Sequence, residues 1–177
     1  MPSITPIIEH LRRANIGLEA AAKGLHASLW REPPRAGAWS AAEVVGHLIM
    51  VEERVTGGAR KLLQEPPPRV FIWRRLHVPP RFAEWRVIRA RTPIPLDPDF
   101  LGEKGAMLER LAGARQRTLA LLEQNRSRDL RGYRWPHPFF GSLSYYQWFR
   151  MIAHHEVRHT KQIREIAEAL RARSRLT

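Results

Sequence analysis

Four segments of this chain place apolar residues three, four or seven positions apart, a spacing that aligns them along one side of an α-helix. These helices are predicted over about residues 4–30, 40–64, 98–125 and 144–171. Two of them open with a capping box, Ser40–Glu43 and Ser144–Gln147, whose paired side chains can satisfy free amides of the first turn. Four long amphipathic helices in 177 residues predict an all-α four-helix bundle, with a single domain over residues 1–177.

The connection between the second and third helices is rich in proline and arginine. Residues 66–98 hold eight of the chain's 14 prolines, and residues 69–91 hold seven arginines against one acid, Glu84. Because proline fixes φ and removes a backbone donor, we predict a long crossover here rather than another packed helix. A second irregular connection is predicted over residues 133–141, and no pair of strands is expected.

The composition excludes several classes of protein. The chain has no cysteine, so a disulfide scaffold, a thiolate zinc site, an iron–sulfur cluster and a cysteine nucleophile are all ruled out. No run of 18 apolar residues is present, so neither a membrane span nor a membrane partner is expected. The N-terminal residues lack the basic and apolar regions of a secretory signal. We therefore predict a cytoplasmic protein.

The charge balance helps to predict which class of molecule the protein binds. Thirty Lys and Arg residues against 17 Asp and Glu give a net charge of +13, which is common in nucleic-acid-binding proteins. However, 26 of the 30 cations are arginine and they occur in every segment, a distribution that favours a solvated surface. A small-molecule substrate is the expected partner. A basic nucleic-acid-binding or stress-associated module without catalysis is the alternative, and a homodimer is compatible with the sequence.

Three of the eight histidines fall on inward helix faces. His155 and His159 are four residues apart on the apolar stripe of the fourth helix, and His47 lies on that of the second. A buried polar group without a partner costs roughly 1–3 kcal/mol. Three imidazoles from two facing helices can instead hold one divalent ion and leave a position open for water or substrate. The alternative is that these histidines are satisfied by carboxylates, namely Glu43, Glu52 and Glu156.

Residues 155–159 also spell H-E-x-x-H, the metallopeptidase pattern in which the glutamate is a general base. Glu156 is therefore the candidate catalytic residue, placed to orient or deprotonate a metal-bound water. Few residues follow His159 to supply a downstream ligand, and no strand is expected to hold a peptide. A metal-dependent hydrolase is accordingly the minor alternative. The other five histidines are left out of the metal set: His10 and His26 as surface residues, His77 and His137 as loop residues, and His154 because it is rotated about 100° from its neighbour.

Two segments resemble the motifs of a known family. Trp39-Ser-Ala-Ala-Glu-Val-Val-Gly-His47-Leu is similar to the W-S/T-x-x-E-x-x-x-H-L opening of helix two in the DinB/YfiT-like superfamily. His137-Pro-Phe-Phe-Gly-Ser-Leu, followed by Trp148 and the stretch 154–163, is similar to its H-P-x-F-G-x-L, W and H-E-x-R-H-x-x-Q-I closing elements. The resemblance implies a four-helix bundle with a three-histidine divalent metal site, which maps onto His47, His155 and His159.

The resemblance also implies an activity. Characterised relatives include transferases that join a low-molecular-weight thiol (bacillithiol, mycothiol or glutathione) to an electrophile, and thiol-dependent isomerases. It therefore implies a metal-dependent thiol S-transferase, in which the cofactor thiol supplies the nucleophile that this cysteine-free chain lacks. Glu43 and Glu156 are candidates to support the ligands. Three imidazoles suit zinc, nickel, iron or copper alike, so the identity of the metal stays open.

Overall fold

A computed structural model describes residues 3–67, 77–84 and 100–175 of the chain. Its four long helices are α1 (Thr5–Lys23), α2 (Ala41–Leu62), α3 (Lys104–Gln124) and α4 (Tyr145–Ser174). Helix α1 packs against α4 and α3, and α2 packs against α3 and α4, so every helix has two neighbours in the bundle. The predicted all-α four-helix bundle is confirmed. In the parts of the chain given above, no helix has both the length and the apolarity required to cross a membrane.

Both predicted capping boxes form, and they set where the two histidine-bearing helices begin. The Ser40 hydroxyl accepts a hydrogen bond from the Glu43 amide at 3.3 Å, and the Glu43 carboxylate accepts one from the Ser40 amide at 2.7 Å. Ser144 and Gln147 make the same reciprocal pair at the start of α4. Because each box fixes the first turn, it also fixes which later residues of its helix face the core.

The first helix is shorter than predicted. We expected it to run to about residue 30, but α1 ends at Lys23, and Gly24 is its C-cap residue. The chain then forms a short 3-10 turn at Ala27–Leu29, where the His26 side chain accepts a hydrogen bond from the Ser28 amide. Leu25, which follows the C-cap residue, is still buried in the core. The apolar spacing thus continues past the glycine although the helix does not.

The third helix begins later than predicted. The expected start at residue 98 lies in the segment 85–99, outside the described residues, but Phe100–Glu103 precede α3 and are not part of it. The carbonyl of Leu101 accepts from the Arg31 guanidinium at 2.7 Å, and that of Gly102 accepts from the Trp30 indole at 3.3 Å. The Leu101 and Gly102 carbonyls therefore accept hydrogen bonds from side chains instead of from the backbone amides of a helix.

A β-hairpin replaces the irregular connection that we predicted before the last helix. Strand β1 (Arg134–His137) pairs antiparallel with β2 (Gly141–Ser144), which leads directly into α4. The turn between them ends at Gly141, whose φ of 76° lies in the left-handed region that glycine tolerates. The expectation of no strand pair was wrong, and Pro136 lies within β1, paired with Ser142. In a two-stranded ribbon both strands are edges, where a missing backbone donor is tolerated.

Part of the long crossover lies against the bundle. Residues 68–76 and 85–99, which carry most of its arginines, are outside the described part of the chain. In between, Pro80–Glu84 forms a short 3-10 helix that packs on α4. His77 forms an isolated bridge with Gly141, so the crossover also touches the hairpin.

One buried arginine connects all four helices. Arg115 of α3 donates to both carboxylate oxygens of Glu52 on α2, at 2.7 and 2.9 Å, and to Glu156 on α4 at 2.8 Å. It also donates to the backbone carbonyl of Leu11 on α1. The three charged side chains are at most 4% exposed. This Glu52–Arg115–Glu156 cluster therefore crosses the centre of the bundle, and it was not predicted.

Candidate metal centre

The bundle brings the three predicted ligands, His47, His155 and His159, together between α2 and α4. The Nε2 atom of His155 lies 3.3 Å from Nε2 of His47 and 3.1 Å from Nε2 of His159. One ligand nitrogen from each ring lies within 4.8 Å of the others. His47 and His159 are buried, whereas His155 is partly exposed. The three rings thus converge on one point through the same ring atom.

Hydrogen bonds alone cannot satisfy this arrangement. An imidazole nitrogen offers one in-plane site, which is either a proton or a lone pair. His155 Nε2 faces two other Nε2 atoms, so only one of the two contacts can be a well-aligned hydrogen bond. Two ligands held at 2.0–2.1 Å from an ion at the tetrahedral angle lie about 3.3–3.4 Å apart, close to both observed separations. The donor set and its spacing therefore fit a divalent transition-metal ion.

Burial keeps the rings of His47 and His155 neutral. Burial lowers the pKa of His47 to about 4. Burial lowers the pKa of His155 well below its usual value, and the neighbouring His159, His47, Arg158 and His137 lower it further. Because a metal binds only the neutral imidazole, both rings are in the ligating state at neutral pH.

The Nδ1 atoms of His159 and His47 differ in their hydrogen bonding. The Nδ1 atom of His159 lies 2.8 Å from Oε1 of Gln162, an acceptor that fixes the proton on Nδ1 and leaves the Nε2 lone pair free. His47 Nδ1 is buried and has no hydrogen-bond partner among the described residues. The His47 ring is instead held by packing, with Trp39 edge-on at a centroid distance of 5.3 Å.

Replacing Gln162 with leucine is expected to weaken metal binding by roughly 10- to 100-fold, because the His159 tautomer is no longer fixed. The measurement is a competition titration of zinc against a chromophoric chelator. Gln116→Leu, which changes an exposed glutamine on α3, is the control and should bind zinc as the wild type does. Equal affinities for all three proteins would contradict this role of Gln162.

The carboxylates near the centre are engaged elsewhere. Glu43 Oε2 is used by the capping box, where it accepts from both the amide and the hydroxyl of Ser40. Glu52 and Glu156 are bound to Arg115, so the alternative in which carboxylates satisfy the histidines is not what the structure shows. The catalytic role of Glu156 and the supporting role of Glu43 stay predictions. The Glu156 carboxylate faces Arg115 and is not one of the residues that converge with His47, His155 and His159.

His137 of the hairpin lies near the centre and has a defined tautomer. Its Nδ1 accepts hydrogen bonds from the amides of Phe139 and Phe140 at 3.1 and 3.2 Å. The ring packs against Trp148 at a centroid distance of 4.9 Å. The proton of the neutral ring is therefore on Nε2. We predicted His137 only as a loop residue. It lies in strand β1, where its charge lowers the pKa of His155.

Acid is expected to destabilise the fold partly through His137. Burial lowers its pKa to about 4, and a protonated Nδ1 could no longer accept the two amides. Between pH 6.5 and 4 the unfolded chain binds this proton more readily than the folded protein, so stability falls as the pH falls. Urea unfolding of metal-free protein across this range should show a shallower decline for His137→Asn, which keeps an acceptor. The control His26→Asn should follow the wild type; an unchanged slope in His137→Asn would contradict the prediction.

Comparison with known proteins identifies the family. The model of the DinB superfamily (DinB_2) matches residues 10–163, which include all three histidines and the hairpin. The chain belongs to the DinB superfamily. The resemblance noted in the sequence is thereby confirmed, and the chain is also similar to the uncharacterized protein YuaE of Bacillus subtilis strain 168. YuaE is 31% identical over 151 residues, covering 84% of this chain and 89% of that protein.

Two solved structures share the bundle of this DinB-superfamily protein. TT2238, described as a four-helix bundle protein, is 24% identical, with a TM-score of 0.58 over 91% of this chain and 98% of that one. YfiT from Bacillus subtilis is 19% identical, with a TM-score of 0.63 over 96% of this chain and 87% of that one. YfiT is described as a probable metal-dependent hydrolase with an unusual four-helix bundle topology. At these identities the two structures support the fold.

The buried ion cluster could have been found in the sequence. Glu52 is four residues after Leu48, and Arg115 is four residues after Leu111, so each occupies an apolar stripe. Opposite charges on the inward faces of neighbouring helices predict a buried pair, because an unpaired buried charge is very costly. The predicted stripes contained only apolar residues and histidines, so they did not include the pair.

Proposed function

We propose that this DinB-superfamily protein is a metal-dependent enzyme whose divalent ion is held by His47, His155 and His159. The observation that supports this most strongly is the convergence of three Nε2 atoms, with separations of 3.1 and 3.3 Å, on a point that hydrogen bonds cannot satisfy. Three ligands leave at least one position for a substrate atom, as catalytic rather than structural sites require.

The proposed reaction is transfer of a low-molecular-weight thiol to an electrophile. The thiol sulfur loses its proton, forms a bond to an electrophilic carbon, and a leaving group departs from that carbon with the bonding electrons. The bound ion would supply acidity, since a metal-coordinating thiol is deprotonated. The chain has no cysteine of its own, so the sulfur has to come from a bound molecule.

The protein's own residues would contribute positioning and charge. Arg158 lies close enough to His155 to lower its pKa, so a guanidinium is present beside the centre, where an anionic thiolate or its carboxylates would bind. The Nε2 proton of His137 is available for donation to an oxygen or a leaving group. Trp39 packs against His47 and provides an apolar wall.

The test is a conjugation assay with zinc- or nickel-loaded protein, a panel of thiols that includes glutathione, bacillithiol and mycothiol, and a small alkyl halide. Mass spectrometry detects the thioether. The proposal expects metal-dependent turnover with at least one thiol, its loss in His155→Ala, and its retention in the matched variant His26→Ala.

Other outcomes would overturn the thiol assignment. An electrophile that is consumed without incorporating the thiol, at a rate that still requires His155, would indicate a metal-dependent hydrolase. Tight DNA binding that weakens steeply with salt, together with no metal-dependent turnover, would favour the basic nucleic-acid-binding alternative.

A further inference from the structure

A second group of potential ligands lies on the side of the bundle that faces the crossover. It consists of His10 on α1, His154 on α4 and Glu84 on the 3-10 helix Pro80–Glu84, and we call it the crossover cluster. His154 Nδ1 lies 2.5 Å from Glu84 Oε1, and the rings of His10 and His154 are 4.6 Å apart, edge to face. His10, which we predicted as a surface residue, is half-buried and lies among titratable groups.

The geometry of the crossover cluster suits an ion. One ligand atom from each residue lies within 4.8 Å of the others, which is the spacing also met by the three-histidine centre. Two ligands 2.0–2.2 Å from one ion at the tetrahedral angle lie about 3.3–3.6 Å apart. On metal binding the 2.5 Å contact between His154 and Glu84 would therefore open by about 1 Å, and ligand atoms further apart would approach each other by up to about 1.5 Å. Each residue comes from a different element, and all three are partly exposed, so an ion could enter from solvent.

The donor types select the kind of metal. Two imidazoles and one carboxylate form the set that holds non-haem iron(II), and zinc accepts the same ligands. Calcium and magnesium prefer an all-oxygen shell, and a single carboxylate does not provide one. We propose that the crossover cluster is a second divalent transition-metal site, formed by His10, Glu84 and His154 and separate from the three-histidine centre.

The charges around the cluster make a sharp test possible. Lys161 Nζ lies 4.0 Å from Oε2 of Glu84, the oxygen that does not face His154. Arg13 and Arg115 also act on His10, where their charges lower its pKa. These cations oppose a bound ion, and Lys161, being half exposed, can be replaced without opening the core.

An open depression lined by Arg81, Phe82, Glu84 and Lys161 adjoins the site, so water or a small anion could complete the coordination.

The experiment counts zinc ions per chain by titration of metal-free protein and by elemental mass spectrometry. The expected counts are two for the wild type, one for Glu84→Gln, one for His155→Ala and none for the double variant. His10→Ala should match Glu84→Gln. The controls Glu53→Gln and His26→Ala, which alter a partly exposed glutamate and an exposed histidine, should keep two ions. Calcium and magnesium should not compete.

Lys161→Met should tighten binding of the second ion by roughly tenfold, because a cation near Glu84 is removed. A single ion in the wild type that Glu84→Gln keeps and His155→Ala loses, or two ions in Glu84→Gln, would overturn the second site. The result is independent of the proposed function, since His155→Ala protein reports on the crossover cluster alone and Glu84→Gln protein reports on the three-histidine centre alone. If the cluster is only a hydrogen bond between His154 and Glu84 with the His10 ring packed beside it, then His155→Ala protein will bind no zinc.

Discussion

Arg115→Met is expected to lower the free energy of unfolding by about 3–5 kcal/mol, because it leaves two buried carboxylates without their cation. Glu52 and Glu156 lie on different helices and are each 2% exposed, so neither can turn to water without moving a helix. The Leu11 carbonyl on α1 loses its donor in the same variant. One substitution therefore weakens contacts to three other helices at once.

The pH dependence of this loss distinguishes a charge effect from a packing effect. Burial already raises the pKa of Glu156 to about 7, against the lowering influence of Arg115. Without the arginine, the folded protein takes up this proton more readily than the unfolded chain does, so the stability of the variant falls as the pH rises. Urea unfolding should show a larger difference between wild type and Arg115→Met at pH 8 than at pH 5.

Arg117→Met is the matched control. Arg117 is two residues further along α3 and pairs at 2.8 Å with Glu53, the residue next to Glu52, but the Arg117 side chain is 48% exposed and that of Glu53 is 33% exposed. Exposed pairs of this kind contribute about 0–1 kcal/mol. Similar losses in the two variants would contradict the claim that burial makes the Glu52–Arg115–Glu156 cluster important.

Zinc is expected to stabilise the fold through the three-histidine centre. Free metal at 100 times its dissociation constant adds about 2.7 kcal/mol to the free energy of unfolding if it binds only the folded chain. The measurement is urea unfolding with and without zinc, in Glu84→Gln protein so that the crossover cluster does not contribute. Adding His155→Ala should abolish the increase, whereas adding His26→Ala should not. An equal increase in all three proteins would mean that zinc acts elsewhere.

The parts of the structure that were predictable from sequence are those that depend on local pattern. The spacing of three and four located all four helices, and it placed His47, His155 and His159 on inward faces, because helix periodicity dictates which residues share a side. The capping boxes at Ser40 and Ser144 were recognisable because both partners lie within four residues of each other. In each case, the information is contained in one short segment.

The parts that were missed depend on contacts between distant segments. The late start of α3 follows from hydrogen bonds to Trp30 and Arg31, about 70 residues away. The crossover cluster joins His10 to residues of two other elements, and no spacing within one segment reveals it. Strand pairing across residues 134–144 was obscured by Pro136, which local propensity counts against a strand.

The central claim is that His47, His155 and His159 together hold one divalent ion. The most direct test is the metal content of Glu84→Gln protein, loaded with zinc or nickel and desalted, with and without His155→Ala, by elemental mass spectrometry. The arrangement of the three Nε2 atoms predicts one ion per chain in the first protein and none in the second. Equal metal content in the two proteins, or no metal in either one, would contradict the claim.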